Sequence, residues 1–351
     1  MVWSKLIALG LTLGMPAPGT SAHPPAAAIA TTTRWSALSL PDSLVRLLET
    51  GRWDATPDGF RIITLSFMAD GCVAQAKRDE SKRPAALACV DRCLEIARLS
   101  RRSLPSLEGD EGLWLTHYNL LLGAHDALGD CADPSRHEAI SSALARRTLR
   151  SPVRHAASYP GASERWPADQ TATLASLSRY DRAHRTHLSD APRAAWREWM
   201  LAHGMNTKLG LPLSEVTGTP TGKGPRGCAL SYQTRYLREF DEALARDWWE
   251  HYRRRYLVER AGLVGLREWP PGRERAGDVD SGPVVEGVGA AATGLGIAAA
   301  RSMGDDGLAL RLSLTAAFVD TLVSQSPVLR RQAHTVIADA VRYLGAHLRD
   351  E

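Results

Sequence analysis

The sequence predicts an all-α fold, an (α/α)6 toroid of six helical hairpins in an inner and an outer ring. Three observations lead there. Apolar residues recur with a helical period from Leu38 onward, with no convincing strand alternation between them. Breakers divide the chain into twelve helical segments, which fall into six successive pairs. Helices that are apolar on every side alternate with half-charged ones, as buried and surface helices do.

In order, the predicted segments are 40–50, 57–78, 82–100, 111–129, 134–149, 168–184, 191–204, 228–239, 241–259, 284–303, 305–323 and 329–348. The segment at 168–184 begins on small and apolar residues (Ala168, Thr171, Ala172, Thr173, Leu174, Ala175), which marks an inner member. The stretches from Ala194 to Leu201 and from Arg246 to Arg255 are amphipathic and charged, which marks outer members. From Val284 to Arg301 nearly every residue is apolar or small, so this helix is expected to be buried. Its 18 residues approach the length of a membrane span, but its glycines and the acidic cluster before it favour a soluble core. Asp280 or Ser281 is expected to cap it, with Pro283 in its first turn.

Loops supply the position of the site. Those leading into 111, 168, 228 and 284 are long and rich in Gly, Pro and charge, whereas those leaving the same helices are short. Up-and-down pairing gathers the long loops on one rim, at the N-termini of the inner helices. Long loops in a compact domain are usually functional.

Composition narrows the class. The 44% hydrophobic fraction is ample for a core, and 23% charged is ordinary for a globular protein. A net charge of +4, with basic residues scattered along helix faces, argues against a nucleic-acid partner. At the N-terminus, Lys5, the apolar run Leu6–Met15 and the small residues Thr20-Ser21-Ala22 have the layout of a signal peptide over 1–22. The apolar run is too short to span a bilayer, so no stable membrane span is expected after cleavage near Ala22, and the protein is expected to be periplasmic or secreted. Residues 23–37 read as a flexible lead-in, and 38–351 as the toroid domain. Cys72, Cys89, Cys93, Cys131 and Cys228 are odd in number, which leaves at least one thiol outside any disulfide. They read as small buried residues with room for one disulfide.

The candidate site residues cluster at the loop rim. Asp278 and Asp280 precede the most apolar helix, where one is either a cap or a solvated loop residue, or a general acid or base facing the cavity. Trp166-Pro167-Ala168-Asp169 opens another inner helix, and Asp169 stands either as a first-turn acid or as the second carboxylate of a pair. Two carboxylates across a cavity are what glycoside hydrolysis requires, and proton transfer in a dehydration or isomerisation needs a similar pair. Trp166 beside Asp169 suits an apolar sugar or terpene face. His117 and Tyr118, one to two turns into their helix, stand as acid–base or hydrogen-bonding groups, or as satisfied core polar residues. Arg226 and Tyr232 flank the start of the 228–239 helix, where Arg226 fits an acidic group or pairs with Asp278 or Asp280.

Other patterns carry less. The glycines from Gly287 to Gly294 follow no strand and lack dinucleotide spacing. Gly222–Gly227 lacks the phosphate-loop pattern and reads as a mobile rim loop. The Trp/Tyr/Arg run at 248–259 reads as helix packing. No metal site is expected: His137 has no second histidine three or four residues away, and His184 with His187 reads as a solvated helix end.

Three stretches carry a family resemblance over about residues 40–348: Trp166-Pro-Ala-Asp169, Arg226-Gly-Cys-Ala-Leu-Ser-Tyr232 and Asp278-Val-Asp-Ser-Gly-Pro283. The chain resembles (α/α)6 toroid proteins, most of all linalool dehydratase/isomerase-like proteins, with toroidal glycoside hydrolases and polysaccharide lyases as relatives by fold. The resemblance implies substrate in a central cavity at the loop rim, and it implies for Cys228 a nucleophilic or acid–base role. The expectation is therefore a cofactor-independent enzyme using carboxylate acid–base chemistry on a glycan or a small hydroxylated lipid or terpene. The alternative is a non-catalytic binding or scaffolding toroid, whose carboxylates would all be capping helices or paired with arginines.

Overall fold

The computed structural model describes residues 35–348, apart from 55, 130, 218–222, 261 and 326–334. The expected signal peptide and the lead-in up to residue 34 lie outside the described residues. Among them are twelve α-helices: α1 Asp42–Thr50, α2 Asp58–Arg78, α3 Arg83–Leu99, α4 Gly112–Asp126, α5 Pro134–Arg150, α6 Pro167–His184, α7 Asp190–His203, α8 Gly227–Leu237, α9 Glu242–Tyr256, α10 Ala290–Ser302, α11 Asp306–Gln325 and α12 Thr335–His347. Three two-stranded hairpins accompany them: β1 Met205–Asn206 with β2 Leu211–Pro212, β3 Leu257–Arg260 with β4 Leu263–Leu266, and β5 Val284–Val285 with β6 Val288–Gly289.

The inner ring closes on itself. α2 packs on α4, α4 on α6, α6 on α8, α8 on α10, α10 on α12, and α12 returns to α2. Outside it, α3 packs on α2 and α4, α5 on α4 and α6, α9 on α8, and α11 on α10 and α12. This is the (α/α)6 toroid. Its sequence basis is plain in α4, where every residue from Gly112 to His125 is buried, a helix surrounded on all sides. By contrast, α9 buries only Leu244, Ala245, Trp248, Trp249, Tyr252 and Tyr256, one stripe at helical spacing that faces inward. A disulfide between Cys72 and Cys89 ties inner α2 to outer α3.

Two predicted segments need correction. The run from Val284 is not yet helical, because Glu286 and Gly287 take φ of 53° and 81° and close a tight hairpin between β5 and β6. Both central residues at positive φ suit the right-handed twist of the strands. Helix α10 starts only at Ala290, with Gly289 as its N-cap and no side-chain cap. The loop covers the helix end by its backbone instead: the Ser281 and Pro283 carbonyls accept from Ala291 and Ala290 N–H, each at 3.0 Å. Likewise α9 stops at Tyr256, and the predicted tail to 259 is strand β3. No helix among the described residues is long and apolar enough to cross a membrane.

The rim loops are pinned to the inner helices by two glycines. Gly112, first residue of α4, donates to the Ala157 carbonyl at 2.9 Å, and Gly227, first of α8, donates to the Glu268 carbonyl at 2.8 Å. A β-carbon on either would fall 2.2 Å from Ala157 O or 1.9 Å from Arg267 O. The opposite end of the ring is filled by charge. Asp70 of α2 is bridged by Arg179 of α6 at 2.6 Å and by Arg235 of α8, and Arg179 also holds Glu239 at 2.6 Å.

Candidate active site at the loop rim

Asp169 lies in the first turn of α6, where the helix dipole favours an ionised acid. Its surroundings oppose that. One side accepts from the Ser158 hydroxyl, while Oδ2 is sealed from solvent without a hydrogen-bond partner. Burial above all, with the nearby charge of Asp280, raises its pKa to about 7 against the Ser158 hydrogen bond. Near neutral pH this group is divided between carboxylic acid and carboxylate.

Asp278 and Asp280 share one loop yet meet different fates. Asp278 Oδ1 accepts from Arg226 Nη2 at 2.7 Å and from the backbone N–H groups of Asp280 and Ser281 at 3.1 and 3.0 Å. Burial alone would raise its pKa, but these donors outweigh it and hold it below the usual value. It is an ionised loop anchor. Asp280 stands 3.6 Å from Arg226 Nη1, with about half of its side-chain surface (53%) open. Its pKa is raised, first by desolvation and then by Asp278 and Glu215, against the pull of Arg226 and Lys223.

Arg226, just before α8, organises the mouth. Besides the two aspartates it donates from Nε to Glu268 Oε1 at 2.8 Å, and its plane lies 4.7 Å over the Trp269 ring. Glu268 is fully buried; Oε2 accepts the Cys228 backbone N–H and Oε1 faces the Cys228 thiol, both at 3.1 Å. A carboxylate on a free N–H in the first turn of α8, with the Glu268 backbone carbonyl on the Gly227 N–H, serves as a helix cap. Burial, reinforced by Glu268, drives the Cys228 thiol pKa far up, so the thiol is a hydrogen-bond donor to Glu268 and not a thiolate.

Beneath this mouth lies a floor of hydrogen-bonded rings. His117 of α4 links Ser66 Oγ of α2 (2.6 Å) to Tyr232 Oη of α8 (2.7 Å), with Phe67 packed against both rings. Burial lowers the His117 pKa to about 3, so it stays neutral. Tyr118 is not part of this surface. Successive helical residues point about 100° apart, so with His117 facing the axis Tyr118 faces outward, stacked on Trp114 at 4.8 Å and bonded to Arg98 of α3.

Trp166, the N-cap of α6, meets Tyr159 edge to face at 5.0 Å. Both Asp169 and Asp280 contribute to the raised pKa of Tyr159, which places it by the two carboxylates. Of the residues expected at the rim, Asp169, Trp166, Arg226, Cys228, Asp278 and Asp280 thus come together, with His117 and Tyr232 below them. Ser158, Tyr159, Glu268 and Trp269 were missed; all four sit in loops, where no periodicity assigns a face. Two open grooves, of about 370 Å³ beside Asp58, Ser103 and Trp114 and about 240 Å³ beside Asp190 and Phe240, lie away from Asp169 and Asp280. Charge and burial, and not empty volume, make this mouth the candidate site. A cluster with metal-ligand chemistry lies elsewhere, at the opposite end of α4 and α6.

No protein-family model matches the chain, and no curated protein matches it. Among solved structures it is similar to the GH76A alpha-1,6-mannanase from Salegentibacter sp. HEL1_6, with a TM-score of 0.55 at 11% identity, covering 91% of this chain and 98% of that chain. The likeness supports glycoside hydrolase toroids as relatives by fold and gives no support to particular closeness to linalool dehydratase/isomerase-like proteins. At this identity what the two chains share is the fold, an (α/α)6 toroid nearly end to end.

Proposed function

We propose that the protein is an exported glycan-active hydrolase in which Asp169 donates the proton and Asp280 is the partnering carboxylate. The observation that carries this reading is the unpartnered Oδ2 of Asp169, on a carboxyl with a pKa of about 7, within the field of a second carboxylate. A glycosidase needs one acid protonated near working pH to protonate the leaving oxygen. Its second carboxylate activates water or attacks the anomeric carbon. Trp166, Tyr159 and Trp269 offer apolar faces to a sugar ring, and Arg226, held by Asp278 and Glu268, fixes the loop that carries Asp280. The similarity to a mannanase toroid supports a carbohydrate as ligand.

A binding or scaffolding toroid would have every carboxylate engaged. Asp278 and Glu268 are, but Asp169 has neither an arginine nor a partner for Oδ2. A terpenoid site would be closed and apolar, whereas Arg226, Lys223, Asp278 and Asp280 make this mouth polar.

The test is hydrolysis of a panel of α- and β-linked mannans, glucans and activated aryl glycosides, followed by product chromatography. Cleavage of at least one substrate, lost in D169N and D280N, is the expected outcome. Oligosaccharide binding without any cleavage, or turnover unchanged in D169N, overturns the assignment. A panel neither bound nor cleaved counts against a glycan as ligand.

A further inference from the structure

We propose that Asp126, Cys131, His137 and His184 form a four-ligand site for a zinc-class divalent cation, at the rim opposite Asp169. Asp126 ends α4, Cys131 lies in the loop that follows, His137 sits in the second turn of α5, and His184 ends α6. One donor atom from each lies within 4.8 Å of every other. Asp126 Oδ2 is 2.9 Å from His137 Nδ1 and 2.9 Å from His184 Nε2, and the two imidazoles meet edge to face with centroids 5.4 Å apart. Around a tetrahedral zinc ion, with bonds near 2.0–2.3 Å, ligand atoms are separated by roughly 3.3–3.8 Å. The four groups therefore need shifts of about an ångström or less to close on an ion.

Hydrogen bonding accounts for only part of the cluster. Asp126 Oδ2 accepts from His184 Nε2 at 2.9 Å and faces His137 Nδ1, out of line for a good hydrogen bond, while the buried Oδ1 of Asp126 and Nε2 of the fully buried His137 have no partner. Buried polar atoms left this way cost free energy and are rare in native proteins. A cation on the Asp126 carboxylate and His137 Nδ1 would give both groups the partner in line that they lack, with His137 Nε2 left to a second neighbour. One thiolate, two imidazoles and one carboxylate make a donor set that selects zinc over hard cations such as calcium or magnesium, which take oxygen ligands. Binding releases the Cys131 thiol proton to solvent, because zinc takes the thiolate.

Four protein ligands leave no open position, so the ion acts as a staple and not as a Lewis acid for substrate. It joins the ends of inner helices α4 and α6 to the start of outer α5. Only the spatial arrangement reveals it: the histidines are 47 residues apart, and His187, the histidine near His184 in sequence, points to solvent and pairs with Asp190 at 3.3 Å.

The test uses the purified full chain, stripped with chelator under reductant and titrated with Zn²⁺ and then Co²⁺. We expect one ion per chain and a cobalt spectrum of a tetrahedral site with thiolate-to-cobalt charge transfer. C131S removes that band, and H184Q weakens zinc binding by about 100-fold or more, at or above the top of the range for losing a supporting group. H187Q changes neither. Both test positions are partly exposed, so these variants keep the fold if buried H137Q does not. Absence of stoichiometric binding, or binding unchanged in C131S and H184Q, overturns the site.

Discussion

The Tyr232 hydroxyl lies 2.7 Å from His117 Nε2, which joins α8 to α4 across the inner ring. Because Ser66 holds the other ring nitrogen at 2.6 Å, the imidazole is satisfied while neutral. Y232F leaves one buried nitrogen without a partner and is expected to lower stability by about 1–3 kcal/mol. Urea unfolding at pH 7 measures it; a loss below a few tenths of a kcal/mol would show that the hydrogen bond is not made.

The same histidine sets part of the acid response. Its folded pKa of about 3 lies below the unfolded value of 6.5, so between those values the unfolded chain binds the proton and the native one does not. Stability is full above about pH 6.5 and declines as pH falls toward 3, by at most about 1.4 kcal/mol per pH unit from this group. Parallel unfolding series for wild type and H117Q from pH 7 to 4.5 should show a shallower decline in the variant. Identical slopes would place the acid sensitivity elsewhere.

Asp169 carries the opposite sign. Its pKa rises on folding from 3.8 to about 7, so the native state binds more protons in that interval and stability falls as pH rises from about 4 to about 7. The ionised form costs at most about 4 kcal/mol on this basis, and partial exposure brings the expected cost to about 1–3 kcal/mol. D169N should therefore be more stable than wild type at pH 8 and indistinguishable from it at pH 4. A variant less stable at both would mark Asp169 as structural.

Activity should follow the same group. With Asp169 as proton donor, kcat/KM falls above pH about 7, the alkaline side of a bell-shaped profile. Asp280 contributes to raising that pKa, so D280E should keep the alkaline limb, and residual activity in D280N should show it moved to lower pH. A limb unmoved in D280N would disconnect the two carboxylates.

Arg226 faces a fully buried carboxylate, Glu268, at 2.8 Å. R226M strands that charge and should destabilise the protein by about 3–5 kcal/mol, whereas R226M/E268Q should recover part of the loss. Guanidinium unfolding of the four species checks it. Additive losses would mean that the pair is not coupled.

The ring of helices was legible in the sequence because burial leaves a periodic trace. The boundaries of α2, α3, α5 and α6 fall within one residue of their expected positions. Where a turn decides instead, the trace misleads. Val284 to Gly289 reads as buried helix by composition, but Glu286-Gly287 at positive φ folds it into a hairpin. Asp169 was visible as an acid in a helix's first turn, which is a local signal; Asp278 and Asp280 were visible as an acidic pair before an apolar run, although the helix they were expected to cap starts only at Ala290. Glu268 was not, because its partners Arg226 and Cys228 are 42 and 40 residues away and lie on another hairpin. Cys228, for which only the family resemblance implied a reactive role, is held protonated by the burial that a helix start inside the ring imposes. The cluster of Asp126, Cys131, His137 and His184 was invisible for the same reason as Glu268: it is assembled from three helices and the loop after α4.

The charged knot of Asp70, Arg179, Arg235 and Glu239 makes the toroid a cup and not a pore. Three inner helices converge on it, and Phe67, His117 and Tyr232 lie above it. A polymer cannot thread through a ring closed in this way. Whatever enters by the loop rim must leave by it. A long chain could therefore enter only by presenting one terminus downward, and any other approach would leave it lying across the lip.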